Sequence, residues 1–318
     1  MITLVSLSPE EVRRKCSEKG WVTMYERIAT LTDEDRERVL LIEDHPTPVG
    51  AEWVVRNYEA TSPLVEKAWR EGKRHFFLLR VGEASLDLEP SVRAAGVESV
   101  EVRDGEVRVT HAGLAGAGVG AALSRGCAEG VSRVEIHEEG GGSRLGRATV
   151  VTPELRRLVI GVDDTDTEEE GATWSAVDVI CRRLEDEAGV FYSRHVTVQL
   201  YPKTPHRTRN CAAVVVELGV PTKRVERVKR EFLRMLKEVS FSDHTCAAFW
   251  DRLEFPRELR DLGNAAKRRI VSREEVDEVV EICEIEVVSI GDGERGRIGA
   301  VAALPFIDDH GLAARVPR

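Results

Sequence analysis

The chain has 318 residues, of which 42% are hydrophobic and 32% are charged, and its formal net charge is −10. This composition is typical of a soluble globular protein and excludes a disordered or membrane-embedded chain. The length predicts two domains. No apolar run reaches bilayer-spanning length, and the N-terminal residues lack the layout of a signal peptide, so we expect a cytoplasmic protein.

The net charge argues against broad attraction to a polyanion, but the charge is unevenly distributed. Residues 201–240 contain ten lysines and arginines against four glutamates, a local charge of +6 in a chain that is otherwise at −16. Two interpretations stay open for this segment. It forms a surface for a specific anionic ligand, or Lys223 to Lys237 is a solvated helix face with salt bridges.

The cysteines occur singly, without the CxxC pairs of a zinc site. We expect most of them to be small buried side chains, with a reactive thiol as the alternative. They are Cys16, Cys127, Cys181, Cys211, Cys246 and Cys283.

The first half predicts a mixed unit of helices and strands. Ser8-Pro9-Glu10-Glu11 has the pattern of a helix start, and this helix should run to about Gly20. Thr32-Asp33-Glu34 predicts the start of a second helix. Arg74 to Val81 is an apolar strand, and Val97 to Thr110 is a hairpin that turns at Asp104-Gly105.

Two glycine-rich segments follow, at 111–120 and at 140–147. Glycines before a helix allow backbone amides to close on a phosphate, but close packing through small residues explains the first segment equally well. The second is a flexible basic loop that binds an anion or flanks a linker. We place a domain boundary near Thr152-Pro153, giving domains 1–153, of unknown role, and 154–318.

The second domain begins with an apolar strand, Leu158 to Val162, that ends in Asp163, Asp164 and Asp166. Ligands of open α/β sheets collect at the carboxyl ends of strands. Mg²⁺ prefers such hard oxygen ligands, so the three aspartates are candidate metal and catalytic residues. The alternative is a solvated turn that caps the helix after Gly171.

A basic loop lies between two predicted strands, Val196–Leu200 and Cys211–Leu218. Its side chains suit a polyphosphate, or they hold the acidic turn in place. They are Lys203, His206, Arg207 and Arg209, of which His206 is also a candidate acid or base. Further candidates for phosphate or metal contacts are Thr165, Thr167, Thr173 and Ser175.

Near the C-terminus, Arg295 to Ala303 predicts a glycine-rich turn that enters a helix of small residues. Gly296 and Gly299 would allow a ligand to approach the backbone, or they serve packing. Asp308-Asp309-His310 is either a second metal-binding element or a solvated terminus.

Three of these motifs resemble those of the archaeal tRNA(Ile2) agmatinylcytidine synthetase. They are Gly-Val-Asp-Asp-Thr-Asp-Thr at 161–167 with Gly171, Thr173 and Ser175, the Gln-Leu-Tyr-Pro run with its Thr-Arg at 199–209, and Arg-Gly-Arg-Ile-Gly-Ala-Val-Ala-Ala at 295–303. The resemblance implies an α+β (mixed α/β) fold, with an N-terminal α/β domain followed by a kinase-like and ferredoxin-like region. It also implies binding of ATP and Mg²⁺ at the aspartates and phosphoryl transfer, in that family onto a cytidine that agmatine then displaces.

The resemblance has two departures. The family has Cys-Thr-Thr with a phosphorylated threonine, whereas the aligned positions here are Thr173-Trp174-Ser175, so autophosphorylation does not carry over. The chain also lacks the CxxC pair and the length for that family's zinc ribbon and OB fold, which argues against agmatine chemistry on tRNA. The layout with an added N-terminal domain is more similar to the eleventh methanogenesis marker protein of methane-producing archaea.

The sequence leaves three hypotheses. The first is an ATP- and Mg²⁺-dependent phosphotransferase or ligase-like enzyme with an unidentified acceptor, either RNA or a protein. The second is a nucleotide-binding accessory factor linked to methanogenesis, and the third is an RNA or tRNA modification enzyme. We expect no membrane partner, and a homodimer remains open.

Overall fold

The computed structural model describes residues 5–205, 207–208, 210–291 and 293–316, and the expected mixed α/β class is confirmed. The chain divides into two compact units, Met1–Leu155 and Arg156–Arg318. None of the helices in the described ranges combines the length and the apolar character needed to cross a bilayer.

The N-terminal unit is rich in antiparallel strands with a few helices. The helices are α1 (Pro9–Lys19), α2 (Gly50–Thr61) and α3 (Ala115–Val119), the last continued by a π-helical turn at Gly120–Ser124. The strands are β1 (Val5–Leu7), β2 (Ile28–Thr32), β3 (Arg38–Asp44), β4 (Val65–Glu71), β5 (Arg74–Arg80), β6 (Gly82–Glu83), β7 (Ala95–Arg103), β8 (Glu106–Leu114), β9 (Arg133–Gly141) and residues 144–155 of β10 (Arg144–Asp163). Residues 152 and 153, where we expected a boundary, therefore lie within a strand.

Two local predictions in this unit are confirmed in detail. Helix α1 begins with a capping box, in which Ser8 Oγ accepts from the Glu11 amide (3.3 Å) and the Glu11 carboxylate accepts from the Ser8 amide (2.7 Å). The β7–β8 hairpin turns at Asp104 (φ 54°) and Gly105 (φ 79°). Positive φ at both central residues is what a two-residue hairpin turn of type I′ requires.

The second helix expected at Thr32-Asp33-Glu34 is wrong. Strand β2 ends at Thr32, and strand β3 begins at Arg38 and pairs with it. The Thr30 and Thr32 side chains are buried, and their hydroxyls bond Thr152 Oγ1 (2.6 Å) and Glu154 Oε1 (3.0 Å). These partners lie about 120 residues away in the sequence, so a local capping signal gives no information about them.

The glycine-rich segments serve close packing at several positions. A Cβ on Gly118 would lie 2.5 Å from Gly113 O and 2.6 Å from Gly146 N, so the helix and the strands contact through bare backbone. The second segment forms the β9–β10 hairpin, and the Arg147 side chain pairs with Glu98 (2.7 Å). Arg147 is thus already neutralised by a carboxylate.

The C-terminal unit alternates strands and helices. Its elements are residues 156–163 of β10, α4 (Thr173–Ala188), β11 (Phe191–Gln199), β12 (Ala212–Pro221), α5 (Val225–Val239), β13 (Cys246–Trp250), α6 (Arg257–Ala266), α7 (Arg273–Cys283), β14 (Glu286–Ser289), α8 (Gly296–Ala303) and α9 (His310–Ala313), with 3₁₀ turns at Thr222–Arg224 and Leu304–Asp308. The strands lie in the order β11-β12-β10-β13-β14. The first six elements follow the β-α-β-β-α-β succession of a ferredoxin-like motif, as the resemblance implied.

Strand β10 sorts its side chains onto two faces of this sheet. Leu158, Ile160 and Val162 are fully buried in one cluster with α4 and α5. Val159 is buried in the other cluster, with α6, α7 and α8. Because side chains alternate along a strand, Gly161 and Asp163 lie on the same face as Val159. Asp163 is therefore directed toward α8.

Charged side chains in two segments of this unit form ion pairs and hydrogen bonds within the fold. Along α5, Arg227 pairs with Glu231 and Arg234 pairs with Glu238, as expected for a solvated helix face. Asp308 accepts from Arg157 and Arg194 (2.9 Å each), and Asp309 caps α9. Asp308 thus belongs to an internal ion network, which contradicts a solvated terminus at this residue, whereas Asp309 is exposed, as that alternative predicts.

Candidate functional site

The site is organised around the end of β10, where α8 packs directly on the strand. A Cβ on Gly161 would lie 2.0 Å from Ala300 O, and a Cβ on Gly299 would lie 1.7 Å from Asp163 Oδ2. Only glycines at these positions let α8 approach so closely. Gly299 therefore determines the space that the Asp163 carboxylate occupies.

The Asp163 carboxylate is set deep in the site. Its Oδ1 accepts from the Asp164 amide (2.9 Å), and no cation of the described residues pairs with it. Burial, followed by the charge of the neighbouring Asp164 carboxylate, raises the pKa of Asp163 well above its usual value. A group with these properties favours a bound cation or proton.

The turn after Asp163 is held by its own side chains. Asp164 has a left-handed backbone (φ 56°), and its carbonyl accepts from Thr245 Oγ1 (2.7 Å). The buried Thr165 hydroxyl donates to Thr173 Oγ1 (2.9 Å), which donates to Asp166 Oδ1 (3.2 Å). The hydroxyls of Thr165 and Thr173, which we predicted as ligand contacts, thus shape the turn.

The acidic loop beyond the turn is closed in a similar way. Thr167 Oγ1 accepts from the amides of Glu169 (3.3 Å) and Glu170 (3.1 Å). Gly171 has φ 102°, and a Cβ there would lie 2.9 Å from Asp166 Cα. Only glycine adopts this conformation without strain, so Gly171 fixes the return of the chain into α4.

The second wall of the site is the loop between β11 and β12. Thr208 Oγ1 donates to Asp166 Oδ2 (3.4 Å), so the loop contacts the acidic turn directly. The Tyr201 amide donates to Ala266 O (2.9 Å), which fixes the beginning of the loop. Arg207 lines the cavity, whereas Lys203 is exposed and is absent from its described lining. His206 and Arg209 lie outside the described residues.

A third wall includes residues that the sequence did not identify. Arg269 follows α6 and pairs with Glu275 (2.5 Å), and Arg295 immediately precedes α8. Three consecutive basic residues at 267–269 and the motif at 295–303 are visible in the sequence. No local pattern, however, predicts that either segment lies beside the aspartates. Together the three walls bring aspartates and arginines to one cavity: Asp163, Asp164, Asp166, Arg207, Arg269 and Arg295.

This acidic–basic cavity encloses about 150 Å³. Sites for whole small molecules typically enclose about 300–1,000 Å³, so the volume suits a phosphate-sized group. Tyr201 also lines a second cavity of about 840 Å³, which therefore adjoins the first and is bordered by Lys267, Arg268 and Arg315. Tyr201 thus borders both cavities.

Other predicted residues lie around this cavity and do not line it in the described part of the chain. Gly296 packs against backbone, since a Cβ there would lie 2.6 Å from His244 O and 2.8 Å from Asp163 O. Ser175 is half-buried on α4.

The Cys211 thiol does line the cavity, and burial, followed by the charges of Asp163 and Asp164, raises its pKa to about 11. It is thus a protonated thiol and a poor nucleophile near neutral pH.

No three His, Cys, Asp or Glu side chains of the described residues form a ready set of metal ligands. Such a set is not needed for Mg²⁺, which usually takes one or two protein carboxylates and completes its shell with water and substrate phosphates. The hard oxygens of Asp163, crowded by the neighbouring Asp164 carboxylate, fit that ion.

The acidic turn and the arginines line one cavity of the unit with the ferredoxin-like succession, and part of this unit is similar to known proteins. Residues 159–224 match the family model of the TiaS TCKD domain. The tRNA(Ile2) 2-agmatinylcytidine synthetase TiaS of Methanopyrus kandleri is 30% identical over 46% of this chain and 33% of its own length. The chain thus spans about a third of that synthetase. A crystal structure of the TiaS–tRNA(Ile2)–ATP complex aligns with 47% of this chain and 36% of its own, at 26% identity and a TM-score of 0.43.

Sequence similarity over nearly the whole chain is found with a different protein. The uncharacterized protein MJ0921 of Methanocaldococcus jannaschii is 40% identical over 92% of this chain and 97% of its own length. The chain belongs to the same family as MJ0921. The resemblance to the eleventh methanogenesis marker protein stays a prediction.

Proposed function

We propose that the protein is an ATP-dependent enzyme that modifies RNA, with the triphosphate bound in the acidic–basic cavity of the C-terminal unit. One observation carries the proposal. The aspartates at 163–166 and the arginines at 207, 269 and 295 line one cavity, within the half of the chain that is similar to TiaS. These relatives are named for a synthetase reaction on tRNA(Ile2), which favours an RNA acceptor over the alternatives.

The arginines supply the phosphate-binding side of the cavity. Guanidinium groups form forked hydrogen bonds with phosphate oxygens and stay charged at any physiological pH. Arg207 and Arg295 are exposed and reach the cavity from different segments, the β11–β12 loop and the start of α8, so both would contact a bound polyphosphate. Arg269 is oriented by its ion pair with Glu275.

The aspartates would repel a triphosphate unless a cation lay between them. Asp163 and Asp164 would hold Mg²⁺, which supplies charge neutralisation of the phosphate oxygens when bound. Phosphoryl transfer needs little covalent chemistry from the protein beyond such positioning and neutralisation. Asp166 is oriented by Thr173 and Thr208, so it completes the acidic wall.

The adjoining cavity supports RNA as the acceptor. Arg268 and Arg315 are exposed on its border, and the buried Lys267 ammonium donates to Gln199 O and Ala313 O (2.8 Å for the second). Burial, followed by the charge of Arg315, lowers the pKa of Lys267 to about 8. A positive cavity next to the triphosphate suits a phosphodiester backbone. Arg227 and Arg234 of α5 are less suited, because glutamates already pair with them.

The proposal is tested by ATP turnover with bulk archaeal tRNA and Mg²⁺. We expect labelled ATP to yield ADP or AMP in an RNA-stimulated reaction. Replacing Asp163 with Asn should reduce turnover by at least about 100-fold. Glu168→Gln, an exposed substitution in the same acidic loop, is the matched control and should leave turnover unchanged. Equal turnover in wild type and Asp163→Asn would contradict the proposal, and tight ATP binding without turnover on any RNA would favour the accessory factor.

RNA binding has a separate test in its salt dependence. Arg268→Ala and Arg315→Ala should each lower the slope of log affinity against log salt by about one. Arg234→Ala removes a cation that Glu238 neutralises, so its slope should match wild type. An acceptor other than RNA follows if no salt-sensitive RNA association is found.

A further inference from the structure

The N-terminal unit contains a cavity of its own, of about 470 Å³, which is separate from the proposed ATP site. It lies between the segment after α1, the start of α2 and the glycine-rich turn of α3. Aromatic rings dominate its lining: Trp21, Tyr25, His45, Trp53 and Tyr58. This volume is within the range of small-molecule sites.

Two tryptophans of this cavity are unusually exposed. The accessible fraction is 60% for Trp21 and 48% for Trp53. Large aromatic side chains favour burial, and two of them bordering one cavity indicate a surface that a ligand covers. The Tyr25 ring below them is buried and packs edge-on against His45, with 5.2 Å between ring centroids.

The base of the cavity is charged but internally neutralised. The Arg125 guanidinium is fully buried and binds the Glu43 carboxylate through two hydrogen bonds, of 2.5 and 2.8 Å. It also lies 4.6 Å from the Tyr25 ring centroid and donates to Gly120 O. Because this ion pair has no net charge, it supplies no counter-charge for a phosphate or an ammonium ion. A neutral ligand fits better.

Small polar groups provide hydrogen bonds at the edge of the aromatic surface. His45 Nδ1 lies 3.1 Å from the amide nitrogen, the carbonyl oxygen and the hydroxyl of Thr47, so Nε2 is the ring nitrogen that these contacts leave for a ligand. Burial lowers the pKa of His45, so the ring is neutral at physiological pH. Thr23 and Ser124 also line the cavity, and their hydroxyls can donate or accept.

One side of the cavity is bare backbone. A Cβ on Gly116 would meet no atom within 4 Å, and a Cβ on Gly120 would meet only Arg125 Nη1, at 3.9 Å. These glycines are therefore not explained by packing, in contrast to Gly113 and Gly118. The π-helical turn that begins at Gly120 is a rare conformation that is frequent at functional sites.

We propose that this cavity binds a nucleobase, which stacks on the indole rings of Trp21 and Trp53 and is read at its edge by His45 and the neighbouring hydroxyls. A nucleobase is flat and neutral, and it carries both donors and acceptors on its edge. Stacking on aromatic side chains is the usual means of binding unpaired bases. The base belongs either to a free nucleoside or nucleotide or to single-stranded RNA, and only the second source rests on the proposed function.

The test measures binding of adenosine, cytidine, guanosine and uridine, and of a single-stranded RNA heptamer, by calorimetry. It is performed in the Asp163→Asn background, so that nucleotide binding in the C-terminal unit is weakened. Trp21→Ala and Trp53→Ala should each weaken binding by about ten-fold, since stacking contributes about 1–3 kcal/mol per base. Both side chains are exposed, so the fold should tolerate the changes. Trp174→Ala, an equally exposed tryptophan of α4, is the matched control.

Each outcome has a defined meaning. Binding that depends on Trp21 and Trp53 but not on Trp174 supports the proposal. In that case a heptamer that binds more tightly than any nucleoside identifies RNA as the source, and otherwise the source is a free nucleotide. The proposal is overturned if no nucleoside or heptamer binds at about 10 mM, if neither tryptophan substitution matters, or if tetramethylammonium binds more tightly than every nucleoside. A protein that binds nucleosides in this way but shows no ATP turnover would contradict the proposed function and not this inference.

Discussion

Asp163 and Gly299 show how closely α8 packs against the end of β10. The carboxylate accepts a hydrogen bond from the Asp164 amide, and its other oxygen is directed at the backbone of α8. The position of the carboxylate therefore depends on the absence of a side chain at residue 299.

Substitution of Gly299 by Ala tests this dependence. The new Cβ would lie 1.7 Å from Oδ2 and 2.6 Å from Cγ of Asp163, so either the carboxylate or α8 must move. Overpacking of this kind destabilises by about 1–3 kcal/mol, and a displaced carboxylate should also weaken ATP binding. Gly311→Ala in α9 is the control, because its nearest neighbour would be an ordinary 3.7 Å away. Chemical denaturation and ATP titration of both variants decide the matter, and identical behaviour of the two would contradict the role assigned to Gly299.

Residue types and spacing predict part of the cavity lining. The aspartates at 163, 164 and 166 and the arginine at 207 lie at the ends of predicted strands, and a strand end can be read from a local pattern. Arg269 and Arg295 reach the cavity from α6 and α8, so their positions depend on how distant helices pack. The sequence also cannot show that the Thr165 and Thr173 hydroxyls bond each other.

At the scale of elements, a buried ion network connects the strands of the C-terminal unit. The Glu217 carboxylate on β12 accepts from Arg157 on β10 (2.9 Å) and from Arg194 on β11, and both arginines also bind Asp308. Burial by itself would raise the pKa of Glu217, but the charges of Arg194 and Arg157 outweigh it and lower the pKa to about 2.

Glu217→Gln should therefore destabilise the protein strongly. The substitution leaves two buried guanidinium groups with Asp308 as their remaining described carboxylate, and breaking a buried pair typically costs about 3–5 kcal/mol. Glu238→Gln removes an exposed partner of Arg234 on α5, and its effect should stay within about 0.5 kcal/mol. Urea denaturation of the two variants makes the comparison, and equal losses would show that the network does not stabilise the fold.

The elements themselves were predictable where their signals are local. The capping box of α1 and the Asp104-Gly105 turn involve residues within three positions of each other. Strand β2 was missed because its threonine hydroxyls bond Thr152 and Glu154, and Asp308 was misread because Arg157 and Arg194 precede it by more than 110 residues. Long-range partners of polar side chains are not encoded in a local pattern.

On the scale of the whole molecule, stability should depend on pH through a buried histidine of the N-terminal unit. Burial, followed by the Arg125 charge, lowers the pKa of His111 to about 3. In the unfolded chain a histidine takes up a proton near pH 6.5, so unfolding is accompanied by proton uptake between these two values. The stabilisation is thus fully present above about pH 6.5 and is lost as the pH falls toward 3, by up to about 1.4 kcal/mol per pH unit.

The free energy of unfolding of wild type and His111→Asn, measured from pH 7 to pH 4, tests this effect. The pH slope should be smaller in the variant, because asparagine does not titrate. A slope that is the same in both proteins would show that His111 is not the source of the acid sensitivity.

If the cavity lined by Asp163 and Arg295 binds ATP, it should bind a non-hydrolysable ATP analogue in the presence of Mg²⁺, and equilibrium titration measures this binding. We predict saturable binding by wild type that weakens at least ten-fold in both Asp163→Asn and Arg295→Ala, while Glu168→Gln binds as wild type does. Absence of binding by wild type at about 1 mM analogue, or equal affinity in all four proteins, would contradict the account.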